Sequence, residues 1–302
     1  MTAADRFSGL IDASHRAALN AARRTIKAGI AGHDRKLPAL AERRLFEIPG
    51  PAGPLEARLY RPEGVAEDAP LLVFLHGGGF VISDLESHEA MCMRLAIAGR
   101  FRLLAAAYRL APEHRFPAQL DDATAAARWA LGEGAAVVRS GGRIALGGDS
   151  AGGYLAAMVA RTLHAEQADA ITAQLLIYPL LEMRDAAWAD NLMDGSRSVG
   201  WGAMKYVRSA LAADPQAPSL STADDLAPIP TLIATGGPLD PCRGHAVAMI
   251  EKLRAAGRET TWLEYPLLTH AFGSFTHLSG TARRALQEIG ATFGAFYQPQ
   301  HE

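Results

Sequence analysis

The stretch that most restricts the possible folds runs from Arg143 to Gly153. Arg143-Ile144-Ala145-Leu146 reads as a short buried strand. It enters Gly147-Gly148-Asp149-Ser150-Ala151-Gly152-Gly153, and a helical pattern begins at once. G-x-S-x-G at a strand-to-helix turn holds a serine hydroxyl above the edge of a sheet, where it can act as a nucleophile. A turn that sharp brings Gly148 and Gly152 against neighbouring backbone, and a Cβ at either would collide. Glycine-rich turns around a serine also arise by chance, so the motif gains meaning only from what accompanies it.

The rest of the chain supplies a sheet for that turn. Leu71-Leu72-Val73-Phe74-Leu75 is a continuous apolar run, the mark of a strand covered on both faces. Leu55–Tyr60 alternates apolar and polar residues, as a half-exposed strand does. Beyond them the pattern predicts helices over 86–98, 117–131, 154–163, 244–256 and 278–296. It predicts strands over 103–108, 173–178, 231–234 and 261–264. Strands alternating with helices give an α/β fold, a mostly parallel central sheet with helices on both faces. Residues 1–35 read as helix, with Phe7, Leu10, Ile11, Ala18, Ala22 and Ile26 near helical spacing. Pro38 and the Pro49–Pro54 cluster punctuate the chain between that helix and the first strands.

One segment breaks the rhythm. About fifty residues between Pro179 and Thr231 show no central strand, and a long excursion from a compact core is usually functional or disordered. Trp188, Leu192, Met193, Trp201, Met204, Tyr206 and Val207 make it too apolar for disorder. We read it as helices covering the site, joined by the N-terminal helix.

Composition removes several classes of function. Lys and Arg total 30 against 32 Asp and Glu, and no basic run could track a phosphate backbone, so nucleic acid is not an expected partner. The two cysteines, Cys92 and Cys242, lie far apart without a C-x-x-C, which points to two reduced buried thiols rather than a disulfide or a metal site. The N-terminus lacks the apolar core of a secretory signal, and Asp5 and Asp12 argue against a transit peptide. No stretch is apolar enough to span a bilayer. A soluble, cytoplasmic chain of 302 residues with one core and an added segment is the expectation.

A serine nucleophile needs a base, a group to orient that base, and donors for an oxyanion. His76-Gly77-Gly78-Gly79-Phe80 comes directly after the Leu71–Leu75 strand, where a loop opens at the carboxyl edge of a sheet. Successive glycines let backbone N–H groups point inward and, with that of Ala151, converge on a developing O⁻. Among ten histidines, His270 stands in a loop after the 261–264 strand, last in the order Ser…Asp…His; His277 is its nearest rival. Asp240 lies on the loop after the 231–234 strand, whereas Asp214, Asp224 and Asp225 precede that strand and would fall at the wrong sheet edge. Asp149 is read as structural.

Assembled, these pieces resemble the bacterial hormone-sensitive-lipase family of α/β-hydrolase esterases. The carriers are His76-Gly77-Gly78-Gly79, Gly148-Asp149-Ser150-Ala151-Gly152, Asp240-Pro241 and His270-Ala271-Phe272, with the Tyr108–Ala118 segment and Ile177-Tyr178-Pro179 beside them. The resemblance implies the α/β-hydrolase fold, with Ser150 as nucleophile, His270 as base and Asp240 as its orienting acid. It implies Gly77, Gly78 and Ala151 as oxyanion donors, and no cofactor or metal. It also implies a helical cap: an N-terminal segment over residues 1–45, and an insertion around 183–215 within a hydrolase domain over 46–302. A homodimer is suggested by the resemblance alone. The chain departs from the family at Gly244, where a second carboxylate is common, at Cys242, where leucine is usual, and at Ser83, where glycine is usual.

The implied activity is carboxylic ester hydrolysis through an acyl-enzyme, on a small-molecule ester of short to medium acyl chain. Amide or lactone hydrolysis would use the same three side chains. A ligand-binding pseudo-hydrolase on the same scaffold is the reading from another class, and it would lack the working histidine that this chain carries as His270.

Overall fold

The computed structural model describes residues 13–30, 37, 39–182, 219–220 and 226–297. In chain order its elements are α1 (Ala13–Ile30), β1 (Leu40–Ile48), β2 (Leu55–Pro62), β3 (Leu71–Leu75), α2 (Glu89–Gly99), β4 (Arg102–Ala106), α3 (Ala118–Leu131) and α4 (Ala135–Val138). They continue with β5 (Ile144–Asp149), α5 (Ala151–Glu166), β6 (Ile171–Ile177), β7 (Thr231–Gly236), α6 (Arg243–Ala255), β8 (Thr260–Tyr265) and α7 (Gly280–Tyr297). The eight strands form one sheet in the order β1-β2-β4-β3-β5-β6-β7-β8. β1 and β2 pair antiparallel, as do β2 and β4, and every pairing from β4 through β8 is parallel.

The period of two along each strand divides the core between the faces. On β3, Leu71, Val73 and Leu75 join the cluster under α3, α5 and α6, while Leu72 and Phe74 join the one under α2 and α7. All five β3 residues are buried. At about 1.5–3 kcal/mol for each large apolar side chain taken out of water, this explains why a run of five suffices for a central strand.

Strand order positions the site. From β3 the chain steps to β4 on one side, then returns to place β5 on the other. The loops leaving β3 and β5 therefore diverge at their carboxyl ends, and open α/β sheets place ligands in that crevice. The oxyanion-loop candidate and Ser150 lie directly after those two strands.

The sequence-based expectation differs from the structure mainly at one edge. β1 is not anticipated, because Glu42, Arg43, Arg44 and Glu47 obscure its alternation. It is an edge strand with one hydrogen-bonded neighbour, β2, and charged side chains protect such an edge from pairing with other chains. The expected boundary between residues 45 and 46 thus falls inside a strand of the main sheet. At its start, α2 begins at Glu89 rather than Glu86. The Asp84 carboxylate accepts the Ser87 N–H at 2.8 Å and the Glu86 N–H at 3.1 Å, closing a turn ahead of the helix. The 1–35 helix is described as α1; the rest of that range, and the insertion expected around 183–215, lie outside the described residues. No described helix is long and apolar enough to cross a membrane. Cys92 and Cys242 are both free and buried.

Candidate active site

Ser150 sits between the end of β5 and the start of α5 with φ 50° and ψ −115°. A non-glycine residue in such a region is strained by about 1–3 kcal/mol and persists only where its surroundings over-determine it. They do so here. Its N–H donates to the Ile177 carbonyl at 2.9 Å, and its own carbonyl accepts from Leu180 at 2.9 Å and Tyr154 at 3.2 Å. A Cβ on Gly148 would meet the Gly152 backbone, and one on Gly152 would meet the Leu75 and His76 carbonyls. The turn is wedged against the end of β3.

The Ser150 hydroxyl lies 2.8 Å from His270 Nε2. On the far side of the ring, Nδ1 lies 2.9 Å from Asp240 Oδ1. Asp240, on the loop after β7, is held by two further donors, the Cys242 N–H at 2.9 Å to Oδ1 and the Gly236 N–H at 3.2 Å to Oδ2. The histidine loop is tied to the acid loop where Thr269 Oγ1 donates to the Leu239 carbonyl at 3.1 Å. The Tyr178 ring packs edge-on against the imidazole, with centroids 5.1 Å apart. Of the two candidate histidines it is His270, not His277, that meets Ser150. Asp214, Asp224 and Asp225 lie outside the described residues.

Burial disfavours a charge on His270, but the Asp240 carboxylate against Nδ1 outweighs it and holds the imidazole pKa well above its ordinary value. A hydroxyl, an imidazole and a carboxylate joined in series can pass the hydroxyl proton to the ring while the carboxylate fixes tautomer and orientation.

The expectation for Gly77 is corrected. Its N–H donates to Asp149 Oδ1 at 2.8 Å, so it is committed elsewhere and cannot point at an oxyanion. The N–H groups of Gly78, Gly79 and Ala151 have no such acceptor among the described residues. Gly78 adopts φ +108° and Gly79 φ +62°, a path that L side chains rarely follow. Gly79 is therefore a donor candidate that the sequence alone does not single out.

Asp149 anchors more than one group. His88 Nε2 lies 3.2 Å from its Oδ1, and Ser87 Oγ lies 3.1 Å from His88 Nδ1. Burial opposes the Asp149 charge, yet His88, the Gly77 N–H and His76 outweigh this and keep its pKa below the ordinary carboxylate value. Burial, assisted by His88, lowers His76 to about 4, so its ring is neutral at physiological pH. That ring stacks on Tyr108 at 4.2 Å, and the Tyr108 hydroxyl donates to the His76 carbonyl at 2.6 Å. His76 and Tyr108 thus shape the loop. His88 is a participant that sequence reasoning misses, because nothing local to residue 88 reveals a partner at residue 149.

Comparison with known proteins identifies the family. The profile of the α/β-hydrolase fold family matches residues 72–274. The carboxylic ester hydrolase LipN of Mycobacterium tuberculosis is 36% identical over 257 residues, spanning 81% of this chain and 68% of LipN. The ethyl acetate hydrolase of Pseudomonas putida is 34% identical over 229 residues, 72% of this chain and 71% of that enzyme. Among solved structures, the metagenomic thermostable carboxylesterase EstE1 superposes with a TM-score of 0.84 at 29% identity, covering 93% of this chain and 98% of EstE1. The chain belongs to the α/β-hydrolase fold family, among its esterases of the hormone-sensitive-lipase type.

Proposed function

We propose that this protein is a serine carboxylesterase in which Ser150 is the nucleophile, His270 the general base and acid, and Asp240 the residue that orients the imidazole. The observation that carries this reading is the unbroken chain of contacts, 2.8 Å from hydroxyl to Nε2 and 2.9 Å from Nδ1 to carboxylate. Ser150 Oγ attacks the ester carbonyl as its proton passes to His270. The tetrahedral oxyanion is received by the N–H groups of Gly78, Gly79 and Ala151, each worth about 10²–10³ in rate. His270 then protonates the leaving alcohol. Water repeats the sequence on the acyl-enzyme and restores Ser150. No step requires a cofactor.

The substrates are small-molecule esters of short to medium acyl chain. A relative named for ethyl acetate supports the short end of that range. A cytoplasmic location fits two buried thiols that are not joined in a disulfide. α1 serves as the N-terminal part of a cap, a role supported by its hold on the loop beside the site. Arg23 donates to the Val81 and Ala111 carbonyls, each at 2.8 Å, and pairs with Glu113 at 2.8 Å.

The pseudo-hydrolase reading has no observation in its favour, since the imidazole is already within hydrogen-bond reach of the serine. Turnover of p-nitrophenyl acetate and butyrate tests the proposal. Ser150→Ala abolishes it, and retained turnover would reject the assignment. A series of p-nitrophenyl esters falls in rate as the acyl chain lengthens; rates that climb toward palmitate would overturn the short-chain reading.

A further inference from the structure

Cys242 is two residues beyond the proposed acid, at the start of α6, and its side chain is buried against the triad rather than against the sheet alone. Its sulfur interacts with the His270 imidazole. One ligand atom each from Asp240, Cys242 and His270 lies within 4.8 Å of the other two. A carboxylate oxygen, a thiolate sulfur and an imidazole nitrogen are the donors that zinc and cadmium prefer, at about 2.0–2.3 Å from the ion. At the tetrahedral angle zinc prefers, such ligands stand about 3.3–3.6 Å apart, so the trio draws together by about 1 Å to close around a cation.

We propose that Asp240, Cys242 and His270 form an inhibitory site for a thiophilic divalent cation, Zn²⁺ or Cd²⁺, which switches the esterase off by capturing the catalytic imidazole from behind. The inference rests on the triad reading given above.

The mechanism depends on the tautomer. In the active arrangement Nδ1 carries the ring proton toward Asp240, 2.9 Å away, and Nε2 offers its lone pair to Ser150. A cation between Nδ1, the Cys242 sulfur and the Asp240 carboxylate takes the place of that proton. The neutral ring then holds its single proton on Nε2, facing Ser150, and has no lone pair left for the hydroxyl. Starting from the neutral ring, the thiol gives its proton to solvent and each metal bound releases one proton; below the His270 pKa the imidazolium gives up a second, and no oxidation state changes.

Access governs the rate of this switch. The Asp240 side chain is fully buried and Cys242 is 1% exposed, whereas the His270 side chain is 22% exposed. The cation enters as the imidazole swings outward, and inhibition develops slowly rather than on mixing.

The test uses the full chain with Zn²⁺ or Cd²⁺ alone as the probe. Zn²⁺ inhibits p-nitrophenyl butyrate hydrolysis in a time-dependent manner that a chelator reverses. Cys242→Ala and Cys242→Leu each need at least about tenfold more metal for the same fractional inhibition, since even an outer-shell partner of a metal site is worth about 10–100-fold in affinity. Direct binding separates this proposal from the triad reading. Cd²⁺ gives the ultraviolet thiolate charge-transfer band at one equivalent in the wild type and in Ser150→Ala, and no band in Cys242→Ala; Cys92→Ala retains it. Should the Cys242 variants fail to fold, proton release in weakly buffered wild type decides: at least one proton per Cd²⁺ supports the site. Equal metal sensitivity with and without Cys242, a band that depends on Cys92, or binding without proton release would overturn it.

Discussion

The Gly77 amide donates to the Asp149 carboxylate at 2.8 Å, and this contact selects which amides stay free above Ser150. It joins the first glycine after β3 to the residue just before the nucleophile. The loop proposed to receive the oxyanion and the turn that presents the Ser150 hydroxyl are therefore fixed relative to each other by one buried carboxylate.

That contact makes Asp149 a positioning residue. Asp149→Ala frees the Gly77 N–H, removes the carboxylate from His88 Nε2, and lets Gly78 and Gly79 drift from the oxyanion position. The expected loss falls on kcat, up to about the 10²–10³-fold that removal of one oxyanion donor costs, with little change in KM. Asp149→Asn keeps an acceptor for Gly77 and retains more activity than the alanine variant. Steady-state kinetics on one ester measures both. A loss confined to KM, or an asparagine variant no better than alanine, would show that the contact does not act through the loop.

The raised His270 pKa sets opposite trends for activity and stability. The base must be neutral, so kcat/KM rises with pH through an apparent pKa above the ordinary histidine value of about 6.5. A folded pKa above the unfolded one contributes stability that is fully present below the unfolded pKa and is lost as pH rises through the folded pKa. The triad therefore stabilises most where it works least. A pH–rate profile locates the acid limb, and a limb at or below the ordinary value would contradict the electrostatics described for the site.

Backbone strain at Ser150 yields a stability prediction that catalysis does not touch. Glycine relieves about 1–3 kcal/mol of strain there and forfeits about 0.5–1 kcal/mol of chain entropy. Ser150→Gly should therefore unfold at higher denaturant than Ser150→Ala, which keeps the strained φ, although neither hydrolyses esters. Equal midpoints for the two would show that the turn stores no strain.

The alternating α/β architecture is legible in the sequence because each strand from Leu71 onward carries its own apolar signal, and Ser150, Asp240 and His270 stand in a fixed chain order at strand ends. Other features are hidden for physical reasons. β1 escapes because an edge strand with Glu42, Arg43, Arg44 and Glu47 shows no clear alternation. Gly77 reads as a donor because three consecutive glycines look alike in sequence. Only the position of the Asp149 carboxylate distinguishes the first from the other two. His88 is invisible for the same reason, since its partner lies 61 residues away in the chain.

The central claim is that Ser150 becomes acylated with help from His270. Peptide mass spectrometry after a fluorophosphonate probe tests it most directly. The label should appear on the peptide carrying Ser150 in the wild type, vanish in Ser150→Ala, and form far more slowly in His270→Ala. A label on another serine, or equally fast labelling without the imidazole, would contradict it.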